Sequence, residues 1–190
     1  MIAYLDRQHA GKPFAMGDRG ADCNGHVEAM LTPIYLLAIE RRLLSLGHDV
    51  VTLSDGAYHA RHARVVEYAR DHKGRNVYIA AHLNAGGGNY GAAFYDHRSS
   101  MGKAAAAAVV VALHDACPEL MRARSIEASP GDWTRHAYNT ISGVYAGRPC
   151  GLCLEPAFID SQDHKELLTT RGLDRMGVAI ADGLHQWSQA

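Results

Sequence analysis

The stretch NVYIAAHLNAGGG, residues 76–88, decides the fold. Val77, Tyr78, Ile79, Ala80 and Ala81 form an apolar run of strand length with no polar alternation. That is the pattern of a strand buried on both faces of a parallel sheet. The run ends on His82 and passes into glycines. An imidazole at the tip of a buried strand asks for a chemical reason.

Outward from this strand, β and α patterns alternate. Residues 2–5 read as a first strand, followed by a polar, glycine-rich loop to about Gly25. A helical pattern runs to Leu46, with Leu36, Leu37, Ile39, Leu43 and Leu44 on or near one face and Gly47 as its stop. Pro33 lies inside it. Either the helix starts there, with Thr32 as cap, or it is kinked there. Residues 49–53 read as a strand, 59–73 as a helix, 91–95 as a further strand. Ser99 or Ser100 caps an alanine- and valine-rich helix to about Ala116. Residues 117–149 read as irregular, 152–154 as a strand, and about 162–187 as the last helix. The implied fold is α/β: a single domain over residues 1–190, with a mostly parallel twisted sheet and helices on both faces.

The bulk numbers agree. The chain has 190 residues, and 47% are apolar, enough for one domain with a core. Nineteen Lys+Arg against twenty Asp+Glu give a net charge of −1. That balance offers no electrostatic reason for a nucleic-acid or anionic-membrane partner. No apolar run approaches the ~20 residues of a membrane span, and no secretory signal pattern is seen. Twelve histidines make metal binding worth testing.

Two motifs compete with a metal reading. Cys150 and Cys153 have CxxC spacing, but they sit in a strand pattern that points them to opposite faces. They are expected to be reduced and partly buried. Gly86-Gly87-Gly88-Asn89-Tyr90-Gly91 formally matches GxGxxG. A dinucleotide loop must open a helix, whereas GAAFYD follows here and reads as a strand.

In open α/β sheets chemistry gathers at the C-terminal ends of the strands. The polar residues there are Asp6, Arg7, Gln8 and His9 after the first strand, His82 and Asn84 after the third, and Glu155 after the strand at 152–154. His26 and Glu28 stand before or at the start of the first long helix. Two imidazoles and a carboxylate are a common ligand set for catalytic zinc, and a second carboxylate can move protons beside it. No HExxH is present, and ligands drawn from separate loops need no fixed spacing. Glu28 also suits the first turn of a helix simply by its charge. Glu155, in GLCLEPAF, follows an apolar strand directly, where an unpaired charge is costly.

Strand-Asp-x-x-His, a Glu at a helix start, apolar strand-His-x-Asn-Ala and Leu-Glu-x-x-Phe-Ile, in that order, resemble the zinc-dependent N-acetylmuramoyl-L-alanine amidases of bacterial cell-wall hydrolases and phage endolysins. AAHLNA and CLEPAFID are the most specific pieces. The resemblance implies Zn2+ held by His9, Glu28 and His82, with Glu155 as the catalytic glutamate; His26, two residues from Glu28, is the reserve candidate for the second ligand. It implies peptidoglycan as substrate, cut between N-acetylmuramic acid and L-alanine. The family pattern Asp-x-Gly-His-Gly-Gly is here Asp6-Arg7-Gln8-His9-Ala10-Gly11, and Glu-x-Gly-Phe is Glu155-Pro156-Ala157-Phe158. Trp133, His136, Tyr138 and Arg148 are expected to line the cleft. The competing readings are a non-catalytic wall binder on the same scaffold and a zinc peptidase or deacylase acting on another amide. Synthesis in the cytoplasm and action on the wall after release, as for a phage lysin, is the expected localisation.

Overall fold

The computed structural model describes residues 1–10, 18–147 and 149–190. In chain order the elements are β1 (Ile2–Asp6), β2 (Asp22–Cys23), β3 (His26–Val27), α1 (Glu28–Ser45), β4 (Asp49–Leu53), α2 (Tyr58–Arg70), β5 (Asn76–Ala81), β6 (Tyr90–Asp96), α3 (Ser100–Ala116), β7 (Arg122–Ala128), α4 (Arg135–Ile141), β8 (Cys150–Glu155) and α5 (Thr170–Gln189). Short 3-10 turns occupy Ser142–Gly147 and Gln162–His164.

The main sheet has the order β4-β1-β5-β8-β6-β7. The pairings of β1 with β4 and β5, of β5 with β8 and of β6 with β7 are parallel; only β6 and β8 run antiparallel. The sheet is mixed and mostly parallel. β5 lies in its interior and is buried at every position, as its uninterrupted apolar run demands. Alternate residues feed two cores. Ala3, Leu5, Val77, Ile79, Leu152 and Leu154 pack with helices α1, α3 and α5 on one face. Tyr4, Tyr78, Ala80, Phe94 and Cys153 pack with α2 and α4 on the other. Among the described residues no helix is long and apolar enough to cross a membrane.

The CxxC prediction follows the same alternation. Cys150 faces the first core and Cys153 the second, and both are free thiols. Burial pushes the Cys150 thiol up to about 12 and raises Cys153 well above its usual value, so neither supplies a thiolate.

One open choice is settled and two expectations need correction. First, of the two readings of Pro33, the one that keeps it within the helix holds: α1 begins at Glu28, with Pro33 inside. The Thr32 hydroxyl donates to Glu28 O at 3.0 Å instead of capping a new start. Second, residues 117–149 are largely regular, containing β7, α4 and a 3-10 turn. β7 (RARSIEA) is an edge strand with mostly exposed residues, so it lacks an apolar signal. α4 has seven residues, too few to display helical periodicity. Third, the last helix starts at Thr170, where Thr169 Oγ1 accepts from Gly172 N at 3.1 Å. Ahead of it His164 Nδ1 accepts the Phe158 N–H at 2.8 Å and holds a separate turn.

Candidate functional site

β1, β5 and β8 run in one direction, so their C-terminal ends open on one edge of the sheet. Ala81 and Leu154 are register partners, and His82 N–H donates to Leu154 O at 2.9 Å. His82 and Glu155 are therefore the next residues on adjacent strands. Both continue the alternation of Ala80 and Cys153 toward the α2/α4 face. The pairing extends past the strand ends: Asn84 N–H donates to Ala157 O, and Ile159 N–H donates to Asn84 O. The loop that leaves β5 is thus tied to the loop that leaves β8.

Glu28 arrives from the first turn of α1, below the β2–β3 hairpin. Its Oε1 lies 3.0 Å from His9 Nε2 and 2.9 Å from His82 Nδ1. The two imidazole nitrogens are 3.3 Å apart. Backbone amides fix the carboxylate, with Leu83 N–H donating to Oε1 at 3.0 Å and Ala21 N–H to Oε2 at 2.8 Å. His9 Nδ1 lies 3.1 Å from Asp18 Oδ1. Tyr35, wholly buried on α1, donates from its hydroxyl to His82 O at 3.0 Å. One ligand atom from each of His9, Glu28 and His82 lies within 4.8 Å of the others, the one such grouping of three among the described residues. His26, on β3, is not part of it.

The donor set fits a divalent cation. Two imidazole nitrogens crowd a single carboxylate oxygen, and an ion at their convergence engages all three with both rings neutral. A carboxylate on the far nitrogen of His9 is the usual outer support of a metal-bound imidazole. Gly20 leaves the space: a Cβ there would fall 2.4 Å from Glu28 Oε2 and 2.8 Å from His9 Nε2. Its φ of +63° also favours glycine.

Charge divides the site in two. Burial alone would raise the Glu28 carboxyl, but hydrogen bonds from His82, His9 and Ala21 outweigh it and hold it well below the usual range. Burial would lower His9, yet Glu28 and Asp18 raise it. Glu155 has no such partners. Burial, followed by the charge on Glu28, pushes its carboxyl up to about 7. Among the described residues no group donates a hydrogen bond to it.

These groups share a cleft of about 710 Å3, lined also by Asn84, Tyr90, Trp133, His136 and Phe158. Trp133 is 71% exposed and stands edge-on to Phe94. Tyr138 does not line the cleft; it packs on His97 and beneath the Arg98 guanidinium. Arg148 lies outside the described residues. The glycine loop leads into β6, as the strand pattern after it requires. Its Gly86 and Gly87 N–H groups are taken by Asp160 Oδ2 at 2.8 and 3.0 Å. Gly88 is needed for closeness, since a Cβ would lie 2.3 Å from Phe158 Cζ.

Asp18, Tyr35 and a buried network below the His9 loop escaped the sequence reading. Arg61, 0% exposed, donates from Nη1 to Asp6 Oδ1 at 2.5 Å and to Arg7 O at 3.0 Å, and from Nη2 to Ala10 O. Tyr78 donates to the other Asp6 oxygen at 2.5 Å. Arg61 thereby clamps the backbone on both sides of His9. Its helical neighbours offered no signal beyond its being a charge in a packing stripe.

The fold and site define a class: an α/β domain whose sheet edge carries a His-Glu-His cluster fit for a cation beside an unpaired, half-buried carboxylate. Neither protein-family models nor curated sequences match the chain. Solved structures do. Cwp6 from Clostridium difficile superposes with a TM-score of 0.77 at 23% identity, over 97% of this chain and 29% of that one. The chain thus spans less than a third of Cwp6. The N-acetylmuramoyl-L-alanine amidase from Clostridium difficile 630 gives 0.77 at 15% identity, over 100% and 97% of the two chains. AmiC2 of Nostoc punctiforme, also an N-acetylmuramoyl-L-alanine amidase, gives 0.74 at 15%, over 100% and 98%. The protein has the fold of N-acetylmuramoyl-L-alanine amidases.

Proposed function

We propose that this protein is a zinc-dependent N-acetylmuramoyl-L-alanine amidase that cleaves peptidoglycan between the lactyl group of N-acetylmuramic acid and L-alanine. One observation carries the reading: in an amidase fold, His9, Glu28 and His82 converge on one point in the same cleft as an unpaired Glu155. His9 Nε2, Glu28 Oε1 and His82 Nδ1 would hold the metal. Zinc, when bound there, polarises a carbonyl and lowers the pKa of water beside it.

The chain supplies the rest. Asp18 keeps the His9 ring oriented by holding Nδ1. The amides of Ala21 and Leu83 keep the Glu28 carboxylate turned toward both rings. Glu155 takes a proton from the attacking water and gives it to the departing alanine amine. A carboxyl poised near neutrality suits both halves of that transfer. Glu155 ends β8 beside His82, the residue that follows β5, so the proton carrier and one of the three ligands share a rigid pair of strands. The wall lies outside the cytoplasmic membrane, so this reading requires release, as in phage lysis, or export.

The test is to incubate the zinc-loaded protein with purified peptidoglycan and weigh the products. Intact glycan strands and peptides with a free alanine amine are expected. Cleavage at any other amide, or binding to sacculi without product at full zinc occupancy, would overturn the assignment.

A further inference from the structure

We propose that Arg124 anchors a carboxylate of the peptide on the leaving-amine side of the scissile bond. The inference rests on the amidase reading for the direction in which substrate lies. The sheet register supplies the geometry. Glu155 of β8 is the partner of Ala92 on β6, and Ala92 is the partner of Arg124 on β7. His82, Glu155, Ala92 and Arg124 thus form one row across four adjacent strands. Ala92 belongs to the α2/α4 core face, and Arg124 as its partner leaves the sheet on that face with Glu155. At the ~4.8 Å between neighbouring strands, Arg124 lies roughly 10 Å beyond Glu155.

The order of the row matches the order of the substrate. The carbonyl sits at His82 and its fellow ligands, the amine at Glu155, and the peptide then continues over a small alanine. An extended peptide covers about 3.3–3.6 Å per residue. A carboxylate within the first three residues therefore reaches Arg124.

The arginine is prepared for such a partner. It is exposed, and among the described residues it makes no ion pair. Its guanidinium lies over the Tyr90 ring, 4.8 Å from the centroid, and Tyr90 is itself held edge-on by Phe158. Both rings line the cleft with Glu155. Stacking restrains the planar fork, leaving its N–H edge free for bidentate capture of a carboxylate. Arg122, exposed on the same face of β7, adds positive charge to the same side.

The experiment uses two zinc-loaded proteins, wild type and Arg124→Gln. Their substrates are N-acetylmuramoyl tripeptides with free carboxylates and the same tripeptides with those carboxylates amidated. Arg124→Gln is expected to raise KM for the acidic substrate about fivefold with little change in kcat, as loss of uniform binding does. The amidated substrate should not distinguish the two proteins. Calorimetric affinity for the free acidic tripeptide, which needs no turnover, should fall by a similar factor. Loss of that affinity in a protein that cleaves nothing would sink the amidase reading and leave the anchor standing. Unchanged KM and unchanged peptide affinity in an active Arg124→Gln enzyme would overturn the anchor. So would a variant that merely dimerises on gel filtration, since charge on an edge strand also blocks strand-to-strand association.

Discussion

The cleft carries two carboxylates whose surroundings are opposite. On the β1 and β5 side, Glu28 accepts two backbone N–H groups and touches two imidazoles, and its charge is favoured. On the β8 side, Glu155 has an apolar strand behind it and another carboxylate in front, and its charge is disfavoured. The first arrangement holds a charge still. The second lets a proton come and go near neutral pH. Residues of one chemistry are given opposite charge preferences by their neighbours alone.

Removing a ligand is the most severe way to break this contrast. His82→Ala is expected to lose zinc and all measurable peptidoglycan cleavage, with metal content read by elemental analysis. Full occupancy in that variant would remove His82 from the ligand set. Gly20→Ala should do similar damage from outside the ligand set, because its methyl enters the space of Glu28 Oε2 and His9 Nε2. Retained zinc affinity there would show that the hairpin yields readily.

The support of the first side comes next. Arg61→Ala leaves Asp6 buried without its ion pair and frees two carbonyls around His9. A loss of about 3–5 kcal/mol in denaturant unfolding is expected. A change below about 1 kcal/mol would mean that water or a neighbouring group replaces the guanidinium, the surface-pair range.

The mildest effect belongs to the second side. The Glu155 carboxyl is raised from its ordinary 4.5 to about 7 in the folded chain. Between those values the folded state keeps a proton that the unfolded state has lost, so stability falls as pH rises through this window. Glu28 acts in the reverse sense: its lowered carboxyl stabilises the fold above the usual carboxylate range and ceases to do so in acid. In zinc-free protein at pH 8, Glu155→Gln should therefore be more stable than wild type, by on the order of 1–2 kcal/mol after allowance for solvent in the cleft. At pH 5 the difference should nearly vanish. A variant equally stable at both pH values would show that the Glu155 charge is already compensated.

This asymmetry also explains what could be read without coordinates. The run at 77–81 is apolar because β5 is covered on both faces, and it delivers His82 to the edge. LCLE marks β8 and Glu155 for the same reason. The four proposed site residues stand at such strand tips or at a helix start, where pattern gives position. β7 was illegible because an exposed edge strand needs no apolar face. The start of α1 was ambiguous because its Pro33 sits where a helix could equally have begun. Arg61 and Asp18 were hidden because their roles are tertiary: each supports the His9 loop from a different part of the chain.

On the proposed reading, one side of the cleft holds the metal while the other moves the proton. The most direct test measures zinc content and peptide release from peptidoglycan on wild type and Glu155→Gln together. Equal zinc with activity reduced about 10²–10⁴-fold is predicted, the usual range for losing an acid–base group. A Glu155→Gln protein that cleaves at the wild-type rate, or that has lost its zinc, would contradict the account.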